Sequence, residues 1–262
     1  MYSTKIVKAE SSSAAAQAIG SAGEGKILAG GMTLIPTLKQ RLANPDCLVD
    51  ISGCGLEGIE DQGSTVRIGA MTKHVTVAES SSVSKSIPAL AALAEGIGDR
   101  QVRNRGTIGG SVANNDPAAC YPSAVMALDG TVHTNKRDIA ASDFFTGMFE
   151  TALEDEEVIE AVSFKKPEKA CYMKFPNPAS RYAMVGVFVA KFSDGVRVAV
   201  TGAGEEGVFR HSDLESALSS NFSEDAVSGV EISANGLMSD IHASADYRAN
   251  LIGEMTRRAV SS

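Results

Sequence analysis

Two short stretches constrain this chain more than its bulk does. "KILAGG" (residues 26–31) and "RGTIGG" (residues 105–110) each lead through apolar residues into a pair of glycines. Without a Cβ at two successive positions, a backbone can come close to another group. Short polar side chains follow: Thr33 after the first pair, and Ser111, Asn114 and Asn115 after the second. A polyanion site can be built this way without lysine. Successive backbone N–H groups curl into a nest, and hydroxyls add donors. Glycine pairs also mark plain turns, so these residues alone leave both readings open. A third stretch is a decoy. "GAGEEG", Gly202 to Gly207, formally satisfies GxGxxG. Glu205 and Glu206 would set two negative charges beside a pyrophosphate, and the strand before it belongs to a hairpin, not a βαβ unit. It reads as a turn.

The rest of the chain alternates strands and helices. "SSSAAAQAIG" reads as a serine-capped helix with Gly20 after its end. "KILAGG" opens as a buried strand. "MTLIPTLKQRLAN" has helical character, with Pro36 acceptable only near its first turn. "CLVDIS" and "TVRIGA" read as strands, and "IPALAALAEGIG" as a helix. "RNRGTIGGSVANNDPAACYP" reads as a loop. "YPSAVMALDG" is a helix, and "TVHTN" and "EVIEAVSF" are strands. After about residue 170 the pattern changes. Two long apolar runs meet at Ser193-Asp194-Gly195, a hairpin signal. "SDLESALSS" and "SEDAVSGV" read as capped helices. The last helix sets Tyr247, Leu251, Ile252, Met255 and Ala259 on one face. The domain boundary is expected within the Lys- and Pro-rich "KPEKACYMKFPNPASR".

The net charge of −8 and the lack of a large Lys/Arg cluster argue against a nucleic-acid binder. No apolar run has the ~18 residues of a membrane span. The first residues show no apolar leader, so the expected location is the cytoplasm. Cys47, Cys54, Cys120 and Cys171 form no CxxC pair, and His74, His133, His211 and His242 are scattered. No metal site is expected from this chain, and the thiols are expected to be free.

"ILAGGMTLIPTLKQRLANPDCLVDIS" and "IGDRQVRNRGTIGGSVANNDPAACYPSAVMALDG" resemble the two FAD-binding segments of the medium subunit of molybdenum hydroxylases. That family includes the aerobic carbon monoxide, xanthine, nicotine and caffeine dehydrogenases. The resemblance extends through "IGAMTKHVTV", "LEDEEVIEAVSF", "SRYAMVGV" and the C-terminal helix. It implies an α+β fold. A two-lobed FAD-binding domain of the vanillyl-alcohol oxidase type would span residues 1–172, with lobes of about 1–55 and 56–172. A smaller α+β domain of antiparallel sheet and helices would span 173–262. It places the cofactor against Leu28, Ala29, Gly30, Gly31, Met32, Thr33, Leu34 and Ile35, and against Thr107, Ile108, Gly109, Gly110 and Ser111. Asn115, Cys120 and the apolar Ile97 and Ile159 join them. Lys174 falls where xanthine-oxidising relatives carry a lysine near the flavin; a solvent-facing lysine on a strand is the other reading. Relatives usually have aspartate where this chain has Cys120, a much weaker hydrogen-bonding group, which bears on FAD affinity. Asp116 reads as a turn former.

The resemblance implies electron transfer. FAD would take electrons from [2Fe–2S] clusters of a small partner subunit and pass them to an external acceptor. The substrate would be oxidised at molybdopterin in a large partner subunit, and the implied stoichiometry is a dimer of heterotrimers. No catalytic residue is expected here. The alternatives are a self-contained FAD oxidoreductase of the same fold and a scaffold subunit that has lost its flavin.

Overall fold

The computed structural model describes the whole chain, Met1–Ser262. The first unit is a small parallel sheet. It comprises β1 (Lys5–Lys8), helix α1 (Ser12–Gly20), β2 (Gly25–Leu28), helix α2 (Leu34–Lys39) and β3 (Cys47–Asp50). β3 lies between β1 and β2 and pairs parallel with both. Ser11 Oγ accepts from Ala14 N at 3.1 Å and starts α1, while Gly20 is its last residue instead of following it. Pro36 sits in the first turn of α2, where its missing N–H costs nothing.

The second unit begins with β4 (Ile59–Asp61) and β5 (Thr65–Gly69), then runs through helices α3 (His74–Glu79), α4 (Ser81–Ser86), α5 (Pro88–Glu95), α6 (Arg100–Arg105), α7 (Ile108–Asn114) and α8 (Tyr121–Ala127). It continues with β6 (Thr131–Thr134), β7 (Asp138–Ala140), helix α9 (Ala141–Phe144), the two short strands β8 (Phe145–Gly147) and β9 (Glu150–Thr151), and β10 (Ile159–Lys165). The antiparallel sheet has the order β4-β5-β10-β6-β7, with the most buried strand, β10, in the middle. Val66, Ile68, Val162 and Phe164 of the sheet meet Leu90, Leu93 and Tyr121 of the helices in one core.

The segment expected as one long loop, residues 103–122, is mostly helix. Asp99 caps α6 and Thr107 caps α7, each accepting a backbone N–H three residues on. Asn115, in the left-handed region at φ 41°, ends α7. Glycines lower helix propensity and hid α7 from the sequence pattern. Gly109 and Gly110 nevertheless sit in its first turn.

The third unit is a four-stranded meander, β11 (Lys169–Pro176), β12 (Ala183–Phe192), β13 (Gly195–Gly204) and β14 (Gly207–Arg210), followed by helices α10 (Ser212–Ser220), α11 (Glu224–Ser228) and α12 (Ala245–Ser261). The segment read as the domain boundary forms β11, so residue 172 lies inside a strand of this sheet. The "GAGEEG" stretch is the β13–β14 hairpin, with Gly204 opposite Gly207. Both faces of the sheet are covered. Val185, Val187, Val189, Val196, Val198 and Val200 pack with Leu251, Ile252 and Met255 of α12. Phe188, Ala190 and Ala199, on the opposite face, belong to the core of the second unit. Side chains alternate across a strand, so β11 sends Cys171, Met173 and Phe175 toward α12. Tyr172 packs against the other core. Lys174 shares its face. Tyr247 departs from the expected buried stripe of α12: it is 43% exposed, its ring edge-on to Phe175 at 6.2 Å.

Candidate functional site

A cavity of about 540 Å³ opens where the three units meet. That volume falls within the ~300–1,000 Å³ usual for cofactor and ligand sites. Its lining comes from the β2–α2 loop, from α7 and the segment after it, and from the start of the third unit.

The two glycine pairs reach the cavity but do different work. In the β2–α2 loop, the N–H groups of Gly30, Gly31, Met32 and Thr33 donate to no group within the chain. Gly31 has φ +73°, a left-handed conformation that favours glycine. Gly30 brings this loop against the second: a Cβ there would lie 2.1 Å from Arg105 O. In the second motif the donors are occupied except for the Thr107 N–H, which has no partner within the chain. Ile108 N donates to Thr72 O at 3.1 Å, Gly109 N to Ala70 O at 2.8 Å and Gly110 N to Thr107 Oγ1 at 3.2 Å. Gly109 is glycine for packing, since a Cβ would stand 2.5 Å from that of Ala70. Gly110 is more open, its Cβ position meeting Thr107 Oγ1 at 2.9 Å and Ala29 Cβ at 3.6 Å. The expected pair of backbone nests is therefore one nest, on the first loop. The second motif contributes close approach and the Ser111 hydroxyl.

The expected site residues sort accordingly. Ala29, Gly30, Gly31, Met32, Thr33, Leu34, Thr107, Gly109, Gly110 and Ser111 line the cavity, as do Ile97, Cys120, Ile159 and Lys174. Leu28, Ile35, Ile108 and Asn115 do not. Leu28 and Ile35 pack behind Gly31, their side chains within 3.2 Å and 2.9 Å of a Cβ placed there. Ile108 is wholly buried in the core. Asn115 serves the backbone: its Nδ2 donates to Gly147 O and Glu150 O, both at 2.8 Å, and its carbonyl accepts from Phe149 N at 3.1 Å.

At one end of the cavity, cations gather on the carbonyls that follow α5. Lys174 Nζ donates to Gly96 O at 2.6 Å and to Arg181 O at 3.1 Å. Arg103 Nη1 reaches Ile97 O at 3.0 Å, and Arg181 Nη1 reaches Gly98 O at 3.3 Å. The end of a helix favours such charges. Lys174 is thus a tie between the third unit and the second, not a free surface lysine. Its Nζ also lies 3.7 Å from Cys120 Sγ. Asp116 both turns the chain, accepting from Ala118 N at 2.9 Å, and lines the cavity, where burial pushes its carboxyl up.

His74, Phe149 and Tyr182 also line the cavity and were not singled out from the sequence. His74 and Tyr182 lie inside quoted segments, "IGAMTKHVTV" and "SRYAMVGV"; nothing local marked Phe149. His74 is buried, and desolvation, then the charge of Arg103, pushes its imidazole down to about 4. Its Nδ1 and the hydroxyls of Tyr121 and Tyr172 find no hydrogen-bond partner.

The pattern that defines the FAD binding domain in molybdopterin dehydrogenase matches residues 2–166. The chain belongs to that family. It is 36% identical over 253 residues to the nicotine 6-hydroxylase medium subunit of Paenarthrobacter nicotinovorans, covering 90% of this chain and 89% of that one. It is 32% identical over 255 residues to the carbon monoxide dehydrogenase medium chain of Hydrogenophaga pseudoflava, covering 91% and 89%. The fold superposes on reconstituted CO dehydrogenase from Oligotropha carboxidovorans with a TM-score of 0.91 at 28% identity, over 99% of this chain and 97% of that one. The cofactor of this family domain is FAD, and the chain is a subunit of an FAD-dependent oxidoreductase. The site fits it. Gly30, Gly31, Met32 and Thr33 line the cavity and their N–H groups have no partner within the chain, and Gly110 leaves space beside Thr107 Oγ1 and Ala29 Cβ that a larger side chain would fill. No helix is long and apolar enough to cross a membrane.

Proposed function

We propose that this chain is the flavin subunit of a molybdenum hydroxylase complex. It takes electrons from [2Fe–2S] clusters of a small partner and passes them to an external acceptor, while the substrate reacts at molybdopterin in a large partner. The assembly is a dimer of heterotrimers in the cytoplasm, and the N-terminal FAD-binding domain ends where β11 begins. The observation that carries this reading is the cavity itself, framed by both glycine motifs and completed by Lys174 of the third unit. The names "medium subunit" and "medium chain" of its relatives support the partners.

When bound, FAD supplies the exchange between two-electron and one-electron transfer. The chain's residues hold and shape that chemistry. The N–H groups of Gly30 to Thr33 would donate to the diphosphate, helped by the Ser111 hydroxyl. Ile97 and Ile159 supply apolar contacts. Lys174 places a positive charge at one end of the cavity, where it would favour the electron-rich form of a flavin held beside it.

The test is anaerobic mixing of the isolated subunit, loaded with FAD, with nicotine, carbon monoxide, xanthine and quinoline, followed by its visible spectrum. No bleaching is expected until molybdenum and iron–sulfur partners are added. Bleaching without partners would replace this reading with a self-contained flavoenzyme.

A further inference from the structure

Cys120 and Lys174 face one another across the junction of the second and third units. Cys120, 6% exposed, stands at the start of α8 and lines the cavity. Lys174 Nζ comes within 3.7 Å of its sulfur from β11. The Gly96 and Arg181 carbonyls hold that nitrogen in place at 2.6 Å and 3.1 Å. Tyr172, on the same face of β11, has a buried hydroxyl without a hydrogen-bond partner, and burial, then the neighbouring Cys120, pushes its phenol up. The other thiols lack this setting. Cys54 Sγ points to the Ala9 carbonyl, Cys171 packs toward α12, and Cys47 is enclosed in the core of the first unit.

We propose that Cys120 and Lys174 are a peroxide-sensitive pair that closes into a covalent S–N link. Hydrogen peroxide is the oxidant. It transfers one oxygen to the thiol, giving the sulfenic acid and one water. The Lys174 amine, having released its ammonium proton to solvent, then attacks sulfur. The S–N bond forms, the S–O bond breaks, and the departing hydroxide takes the second amine proton and leaves as water. In sum, thiol, amine and hydrogen peroxide give the sulfenamide and two waters; sulfur loses two electrons and peroxide gains two. Sulfenic acids are captured in this manner by nearby nitrogen. The link ties β11 to the start of α8 and locks the end of the cavity that Ile97 and Tyr182 share. It rests on this geometry and not on the partners proposed above.

The test uses the full chain carrying Cys171→Ser, because a disulfide between Cys120 and Cys171 would have the same mass. Protein is treated with hydrogen peroxide, alkylated and digested with trypsin. The expected product joins residues 106–136 to residues 170–181, two hydrogens lighter than the sum. Dithiothreitol reverses it, and it is absent when peroxide is added in urea. In Lys174→Arg the product disappears and Cys120 advances to the sulfinic acid. Unlinked sulfinic acid at Cys120 in the parent protein would overturn the proposal. So would an equal yield of link in urea, or a Cys120 that peroxide leaves untouched while the same thiol reacts in urea. Circular dichroism of each variant distinguishes a missing nitrogen from a missing fold. Flavin binding is read separately from the absorbance spectrum, so failure of one reading leaves the other standing.

Discussion

His74 makes stability depend on pH in a direction that the structure sets. The imidazole is 5% exposed, its Nδ1 has no partner, and its ring lies 5.3 Å from that of Tyr121. Burial and then Arg103 lower its pKa from 6.5 to about 4. The folded chain therefore keeps His74 neutral at pH values where the unfolded chain has protonated it. The unfolded state binds more protons, so stability rises with pH through this window. The contribution is complete above about 6.5 and is lost as pH falls toward about 4. A tenfold difference in proton affinity between the two states is worth about 1.36 kcal/mol, so the whole effect is about 3 kcal/mol, of which roughly 2 kcal/mol is gone by pH 5. The comparison is between the natural chain and His74→Gln, each unfolded in urea at pH 7.5 and pH 5. Glutamine does not titrate, so the natural chain should lose roughly 2 kcal/mol more than the variant between those pH values. Two curves that fall in parallel would refute the buried neutral imidazole. A natural chain that gains stability toward pH 5 would reverse the sign of the argument.

Other substitutions separate packing from binding. Gly109→Ala forces a methyl to within 2.5 Å of Ala70 Cβ, and thermal unfolding should show a loss of roughly 1–3 kcal/mol. Gly110→Val points into more open space beside Thr107 Oγ1; circular dichroism should show a retained fold and the visible spectrum a loss of FAD. Cys120→Asp restores the acid usual in relatives at a position that lines the cavity, and a charge-assisted hydrogen bond from the ribityl or sugar hydroxyls of FAD, worth roughly 1.5–3 kcal/mol, should tighten FAD binding when apoprotein is titrated. Equal or weaker affinity would show that the new charge lies too near the diphosphate. Arg248→Ala removes a guanidinium that donates to Met184 O and Gly202 O, both at 2.6 Å, in a residue 3% exposed. Each bond to a charged donor contributes about 1.5–3 kcal/mol, so urea unfolding should show a loss of at least about 3 kcal/mol.

Elements whose physics is local were legible in the residues. The hairpin at Ser193–Gly195 follows from a glycine at φ 139° between two apolar runs. The helices α5 and α12 follow from apolar spacing. Strand β11 was legible only around Lys174, because its lysines and proline mimic a connector. Its pairing with β12, Lys174 opposite Gly186, shows the rest. The glycine pairs pointed to the right place for a reason only half visible in the sequence. A free N–H at Gly30 and an occupied one at Gly109 look alike in one dimension, because the group that occupies the second is Ala70 O, far along the chain. Asn115 misled for the same reason: its partners, Gly147 and Glu150, lie more than thirty residues away. The cavity depends on the third unit as much as on the glycine motifs. One face of its sheet fills the core of the second unit through Phe188 and Ala199, and Thr201 Oγ1 on that face donates to Pro117 O at 2.8 Å. That docking carries Lys174 to Gly96 and sets Cys120 beside it, so the chemistry at this end of the cavity is a consequence of how two cores share one sheet.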